Sequence, residues 1–290
     1  MRSDSVLLID SCSDLPADLV DTLGVEVVHF PYTLDGVERV DDFGRSYPHD
    51  QFYDAMRGGT HPTTMQVPRQ VFADAFTRAA EAGIPLLYLG FSSALSGTFD
   101  MAWVIRQEVL AGHPGADIRL VDTKAASVAE GLLVYEAARL WADGAPIDEI
   151  ESWVERMRPQ LNGWFIVDDL ETLRRGGRLP GAVAAAGTML DVKPLLHVSD
   201  DGRLEMKRSL RGRTKAMRAL ADLVAERAHE PGAQTIAVAH GDCAEDVARL
   251  QEMISDRVEV GSFITMQVGP VIGAHTGPGM LAVVFWGQPQ

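Results

Sequence analysis

The chain is poor in cysteine, in positive charge and in long apolar runs. Two cysteines, Cys12 and Cys243, occur in 290 residues. That is too few for a disulfide framework, and neither sits in a C-x-x-C metal spacing. Such usage fits a reducing compartment, so a cytoplasmic protein is expected. No apolar run approaches the ~20 residues of a membrane-spanning helix, so stable membrane insertion is not expected. The apolar run at 6–9 is also too short for a signal-peptide core. Lys and Arg number 26 against 41 Asp and Glu, a formal charge of −15. Affinity for phosphate backbones needs clustered cations, so nucleic acid is not expected as a ligand. A G-x-x-x-x-G-K-[ST] loop is missing as well, which excludes an ATP site of the P-loop kind.

What is present is a core-forming chain, 46% hydrophobic and long enough for about two domains. In the first part, strand patterns at 6–9, 25–28, 85–89 and 118–121 alternate with helical ones at 16–23, 70–82, 97–110 and 127–142. This rhythm predicts an α/β fold whose N-terminal domain is Rossmann-like, with a parallel sheet covered on both faces. Asp35-Gly36 predicts a two-residue hairpin turn. After a helix at 147–157 the pattern changes: strands at 164–167, 235–239, 262–268 and 281–286, plus a hairpin across Asp201-Gly202, predict a mixed-sheet C-terminal α/β domain. The boundary is expected near Gln160, giving units 1–160 and 161–290.

Three polar clusters stand at strand ends or loops. Gly90-Phe91-Ser92-Ser93-Ala94-Leu95-Ser96-Gly97-Thr98 follows a strand and opens a helix, a position where backbone N–H groups and the helix dipole favour an anion; helix capping by Ser92 or Ser93 is the plainer alternative. Pro62-Thr63-Thr64-Met65-Gln66 reads as a loop between helices, with capping again the alternative. Ile272 to Gly279 places His275 among three glycines before the last strand, a loop that permits close backbone approach to a ligand. Gly90 to Ala94 also approximates the G-x-S-x-G nucleophile elbow. A Ser/His esterase or thioesterase, using Ser92, Asp168 or Asp169, and His240 or His275, is therefore the enzymatic alternative, weakened by Ala94 in the last elbow position. Asp10-Ser11-Cys12-Ser13-Asp14 reads as cap-and-turn chemistry rather than a metal site.

Charge is unevenly placed. Between Arg174 and Lys215 ten basic residues face four acidic ones, a net +6 within an acidic chain. The plain reading is a solvated face; the sharper one is a docking surface, with Arg174, Arg175, Arg208 and Arg211 reaching outward from turns. The segment 180–190, rich in glycine and alanine, predicts a helix whose small side chains suit either close packing or a space beside a sheet.

Asp10-Ser11 with Asp14-Leu15-Pro16, Ser92-Ser93-Ala94-Leu95-Ser96-Gly97-Thr98, Leu173-Arg174-Arg175-Gly176-Gly177-Arg178, Lys193-Pro194-Leu195-Leu196 and His275-Thr276-Gly277-Pro278-Gly279 occur in this order. Over nearly its whole length the chain thereby resembles the DegV family. The resemblance implies a two-domain α/β fold with a lipid tunnel, and the role of a fatty-acid-binding subunit of bacterial fatty acid kinase. A long-chain fatty acid would be the ligand, and a separate ATP-dependent kinase subunit would make the acyl phosphate. No cofactor, metal or catalytic residue is implied in this chain. The carboxylate-binding residues fall on Thr64, Ser93 and His275, with Thr63, Gln66, Ser92, Ser96 and Gly97 in support. One loop departs from the family pattern T-S-Q-P, reading Thr64-Met65-Gln66-Val67 and losing a hydroxyl and a proline. A stand-alone lipid carrier or regulator is the third reading.

Overall fold

The structure is a computed structural model that describes residues 4–168, 170–178 and 192–289. Strand β1 (Val6–Asp10) leads through helix α1 (Ala17–Leu23) to β2 (Glu26–Val28). A hairpin follows, β3 (Pro31–Leu34) and β4 (Val37–Val40), turning on Asp35 and Gly36 with φ of 51° and 75°. Positive φ at both positions is what a type I′ turn needs. After α2 (His49–Arg57) comes β5 (Thr63–Thr64), then α3 (Arg69–Ala82), β6 (Leu86–Gly90), α4 (Thr98–Gly112), β7 (Ile118–Asp122), α5 (Val128–Ala142) and α6 (Ile147–Met157). The sheet β2-β1-β6-β7 is parallel throughout. β6 is buried at every residue, as expected where helices cover both faces of a parallel sheet.

The mixed sheet begins at β8 (Leu161–Ile166), followed by α7 (Glu171–Arg175), the hairpin β9 (Val192–Val198) and β10 (Leu204–Arg211), α8 (Arg213–Arg227), β11 (Thr235–His240), α9 (Ala244–Ser255), β12 (Ser262–Gln267), α10 (Pro270–Thr276) and β13 (Leu281–Trp286). Its order is β10-β9-β8-β13-β11-β12, with β11 and β12 parallel and the other pairs antiparallel. Side chains alternate between its two faces. Leu281, Val283 and Phe285 pack with α8 and α9 residues such as Leu220 and Leu250, while Ala282 and Val284 join the core that includes α5. α5 is buried along most of its length, Ala137 and Trp141 included, because it lies between the parallel sheet and the mixed one. Among the described residues no helix is long and apolar enough to cross a membrane.

Three sequence expectations change. The 62–66 segment is not a plain loop: Thr63 and Thr64 pair with Thr33 and Tyr32 as the third strand of sheet β4-β3-β5. His275 lies on α10, not in a loop. Pro270 starts that helix with its fixed φ, and Gly277, at φ 76°, ends it. β8 starts three residues before the expected 164, because the buried amide of Asn162 donates to Gln160 O and Gln288 O (3.2 and 3.0 Å) and accepts from Arg227 Nε (3.0 Å). A polar residue so satisfied can sit in a buried strand. The helix expected at 180–190, together with Asp169 and Asp191, lies outside the described residues.

Candidate functional site: an apolar cavity with one polar rim

A cavity of about 260 Å³ runs between the mixed sheet and α5. One wall is the alternating row Met280, Ala282 and Val284, with Gly163 and Phe165 beside it on β8; the other carries Ala126, Val128 and Ala129. Alanine and glycine leave this space where Leu or Phe would fill it. Phe30, Phe91 and Leu95 add apolar surface from the parallel-sheet side.

Polar groups gather at one part of the lining, linked by a closed series of contacts. Thr64 Oγ1 lies 2.9 Å from His275 Nε2. The His275 ring packs on Gly176, where an added Cβ would stand 2.1 Å from Nδ1. Arg178 donates from Nη1 to Gly176 O (2.7 Å) and from Nε to Leu95 O (3.3 Å). Leu95 precedes Ser96 and Gly97, and a Cβ on Gly97 would stand 2.6 Å from Gln66 Nε2; Gln66 is two residues from Thr64. Thr64, Gln66, Ser96, Arg178 and His275 all line the cavity. Glycine at 97 and 176 thus serves close approach rather than flexibility.

Burial, and then the neighbouring Arg178 charge, push the His275 pKa down to about 4. The ring is therefore neutral near pH 7, and Nδ1 is buried without a hydrogen-bond partner among the described residues. In the Nε2–H tautomer the ring donates to Thr64 Oγ1, which leaves the threonine proton free for an oxygen in the cavity. The Arg178 guanidinium adds permanent positive charge at the exposed rim. The rim thus sets hydroxyl groups and one positive charge beside an apolar cavity.

Ser93, given a central part by the sequence, does not line this cavity. Its hydroxyl donates to Asp122 Oδ2 at 2.6 Å, and its N–H to Oδ1 at 3.3 Å. Ser96 stands in the lining instead, its Oγ donating to Thr98 Oγ1 at 3.0 Å. Thr63 is exposed. The buried Ser92 donates to Gly202 O at 2.9 Å, tying the β9–β10 turn to the loop after β6. Ser92 is not paired with a histidine: His240 Nδ1 accepts from Cys243 N (3.2 Å), and His275 is engaged with Thr64. The sequence places Arg178 in the basic segment and in the Leu173 to Arg178 motif without a site role; its part in the cavity rim follows from the turn at Gly176 and Gly177, the latter at φ 70°.

The docking candidates lie on regular elements, not in turns. Arg174 pairs with Glu171 (2.7 Å) and Arg175 Nη1 meets His61 Nε2 (2.9 Å), both from α7. Arg208 and Arg211 are exposed on β10, an edge strand whose register shifts between Met206 and Arg208. Beneath the cavity Asp10 accepts from Cys12 N, Phe91 N and Tyr88 Oη at 3.0, 2.8 and 2.8 Å, which is turn and cap chemistry. Among the described residues no group of three His, Cys, Asp or Glu side chains is placed to hold a metal.

Comparison with known proteins places this architecture. The model of the DegV family, described as an uncharacterised protein family, matches residues 5–288. A DegV domain-containing protein of Clostridium perfringens is 42% identical over 285 residues, 98% of each chain. A solved structure from Thermus thermophilus, described as showing fatty acid binding of a DegV family protein, is 32% identical with a TM-score of 0.85, covering 99% of this chain and 100% of that one. A DegV family protein of Ruminococcus gnavus, described with vaccenic acid, shares the fold at 21% identity, a TM-score of 0.86, and coverage of 98% and 100%.

Proposed function

The chain belongs to the DegV family, and on that premise we propose that it binds a long-chain fatty acid and presents the carboxylate to a separate ATP-dependent kinase subunit, which forms the acyl phosphate. The observation that carries the reading is the junction of an apolar cavity with a rim of Thr64, Gln66, Ser96, Arg178 and His275. An acyl chain gains ~0.8 kcal/mol per buried methylene, so some fifteen contribute ~12 kcal/mol before ordering costs. The rim then selects an acid over a hydrocarbon, because a carboxylate accepts from threonine and serine hydroxyls and pairs with a guanidinium. Ser96 takes the place that the family resemblance gave to Ser93. In this reading unit 1–160 supplies Thr64, Gln66 and Ser96, and unit 161–290 supplies Arg178 and His275, so the carboxylate is held between the two.

Docking of the kinase subunit falls to Arg174, Arg175, Arg208 and Arg211. Arg178 is exposed at the same rim, which makes the carboxylate approachable from outside. No nucleophile is needed here, since the carboxylate itself attacks the phosphoryl group.

Mass spectrometry of a mild organic extract of the purified protein tests the first half of the proposal, and addition of the cognate kinase with ATP tests the second. A long-chain acid recovered in stoichiometric amount and converted to acyl phosphate supports both. Recovery without conversion leaves a stand-alone carrier; no acid recovered, with ester hydrolysis detected, overturns the proposal.

A further inference from the structure

Between His197 and Leu210 the hairpin of β9 and β10 has one buried residue, Gly202, and it belongs to the turn. The turn is shaped by Gly202 N donating to Ser199 O at 2.7 Å and Ser199 N donating to Arg203 O at 2.8 Å. β9 pairs with β8 only as far as His197, which stands opposite Trp164. Beyond that point the hairpin parts from β8 and reaches toward the parallel-sheet unit. A space of about 90 Å³, with Gly163, Val198, Ser199 and Lys124 in its lining, lies where the two strands separate. The turn ends against Ser92, whose hydroxyl donates to Gly202 O at 2.9 Å. Among the described residues this is the one hydrogen bond between the hairpin tip and the parallel-sheet unit.

The bond sits on a seam in the wall of the 260 Å³ cavity. Val198 and Leu204, the strand residues on either side of the turn, line the cavity from the hairpin, while Phe91, Leu95 and Ser96 line it from the loop after β6. Ser96 is part of the polar rim, and Leu95 O accepts from Arg178 there, so the seam starts at the mouth and continues beside the apolar compartment. A Cβ on Gly202 would stand 2.1 Å from Ser92 Oγ and 3.1 Å from Lys124 Cα. The two sides therefore meet only because residue 202 has no side chain. The rest of the tip is weakly held: Asp200, Asp201 and Arg203 are exposed, and the Arg203–Asp201 pair at 3.9 Å stays within the turn. A segment with so few buried contacts opens locally at little cost.

We infer that this turn is the latch of a lateral door: the hairpin tip swings away from the loop after β6, the acyl chain is laid in or lifted out through the seam, and the Ser92–Gly202 bond holds the seam shut between exchanges. The inference rests on the fatty-acid reading above and adds the route of exchange to it. Because the seam begins at the rim, the carboxylate stays there while the chain moves, and no charge crosses the apolar compartment. The latch touches neither the head group nor the far end of the ligand. It governs how fast ligands exchange, not which ligand is preferred.

The test is stopped-flow exchange of a fluorescent fatty acid, and of the matching primary alcohol, on delipidated full-length protein. Ser92→Ala deletes the latch bond, and Ser92 is not part of the cavity lining. Association and dissociation rates should both rise by about 2- to 12-fold, equally for acid and alcohol, with the dissociation constant unchanged. A second variant closes the door instead. Ser92→Cys with Gly202→Cys, close enough for a disulfide, should nearly stop exchange when oxidised and release it on reduction, the link being identified by peptide mass. Rates unchanged in Ser92→Ala, a change confined to the acid, or an oxidised pair that exchanges as fast as the reduced one overturns the latch. A wild type that binds neither acid nor alcohol overturns the fatty-acid reading itself.

Discussion

Replacing Thr64 by valine removes one hydroxyl and keeps the branched shape that suits β5. In the folded protein that hydroxyl is already committed on one side, to His275 Nε2 at 2.9 Å. With His275 neutral, its pKa pushed down to about 4, the Nε2–H tautomer donates to Thr64 and leaves the threonine proton for the ligand. Thr64→Val therefore deletes one bond to a charged acceptor and strands one histidine N–H. A hydrogen bond to a charged group contributes ~1.5–3 kcal/mol, and 1.4 kcal/mol is tenfold in affinity. The acid should thus bind about 10- to 150-fold more weakly. The corresponding primary alcohol, which makes only a neutral bond of ~0.5–1.5 kcal/mol, should lose about 2- to 12-fold.

The assay is displacement of a fluorescent fatty acid from delipidated protein, with acid and alcohol of one chain length run side by side. Ser96→Ala should behave in the same way when the ligand carboxylate takes the hydroxyl proton that Ser96 Oγ otherwise donates to Thr98 Oγ1. Ser93→Ala should not, because its hydroxyl serves Asp122 at 2.6 Å. If acid and alcohol weaken equally in Thr64→Val, the residue shapes the cavity without meeting the carboxylate. If Ser93→Ala discriminates and Ser96→Ala does not, the rim has been assigned to the wrong serine.

Arg175→Glu with Arg211→Glu should leave bound lipid in place yet abolish acyl-phosphate formation with the cognate kinase; normal turnover from low to moderate salt would make that face merely solvated. Burial pushes Asp10 up to about 6 and Asp14 up to about 7, both above the ordinary 3.8. The folded chain thus holds protons that the unfolded chain releases, so their contribution to stability is full below about pH 4 and declines as pH rises to about 7. Denaturant midpoints should accordingly fall less between pH 5 and 8 in Asp14→Asn than in the wild type, and identical declines would refute this. Gly202 has φ 78°, and a Cβ there would stand 2.1 Å from Ser92 Oγ, so Gly202→Ala should cost ~1–3 kcal/mol in urea unfolding; an unchanged midpoint would show that the turn does not dock there. Neither wild type nor Ser92→Ala should turn over p-nitrophenyl acyl esters; turnover lost on that substitution would restore the hydrolase reading.

Much of the fold was legible because its elements announce themselves locally. The apolar runs of β1 and β6 and the Asp35-Gly36 turn act within a few residues, and the structure follows them. Failures came where a distant partner decides. Asn162 enters a buried strand because Gln160, Gln288 and Arg227 satisfy its amide, and two of those three lie more than sixty residues away. Thr63 and Thr64 become a strand because β3 offers an unpaired edge. In the site, the family resemblance names Thr64, Ser93 and His275 for the carboxylate, with Ser92 and Ser96 in support. The motifs alone do not show that Ser92 and Ser93 donate to Gly202 O and Asp122 while Ser96 lines the cavity, since both partners lie far along the chain.

Small residues posed the same ambiguity, since in sequence an alanine or glycine on a buried helix reads alike whether a neighbour closes on it or not. On α5, two residues apart, Ala129 borders the cavity and Gly131 does not. At Gly131 an added Cβ would stand 2.3 Å from Ser13 O and 3.2 Å from Met266 Sδ: a carbonyl from the parallel-sheet side and a long side chain from β12 close on the glycine, and the result is tight packing. At Ala129 the facing residue is Gly163, which brings no side chain, and the neighbouring sheet positions are Ala282 and Val284. There too the walls meet, since a Cβ on Gly163 would stand 3.1 Å from Ala129 Cβ, and the open space lies beside that contact, along Ala126, Phe165 and Ala282. What makes a cavity is thus the coincidence of small residues on both walls. The second wall comes from a strand more than thirty residues further along, and the pairing of β8 with β13 fixes which of its residues face the helix.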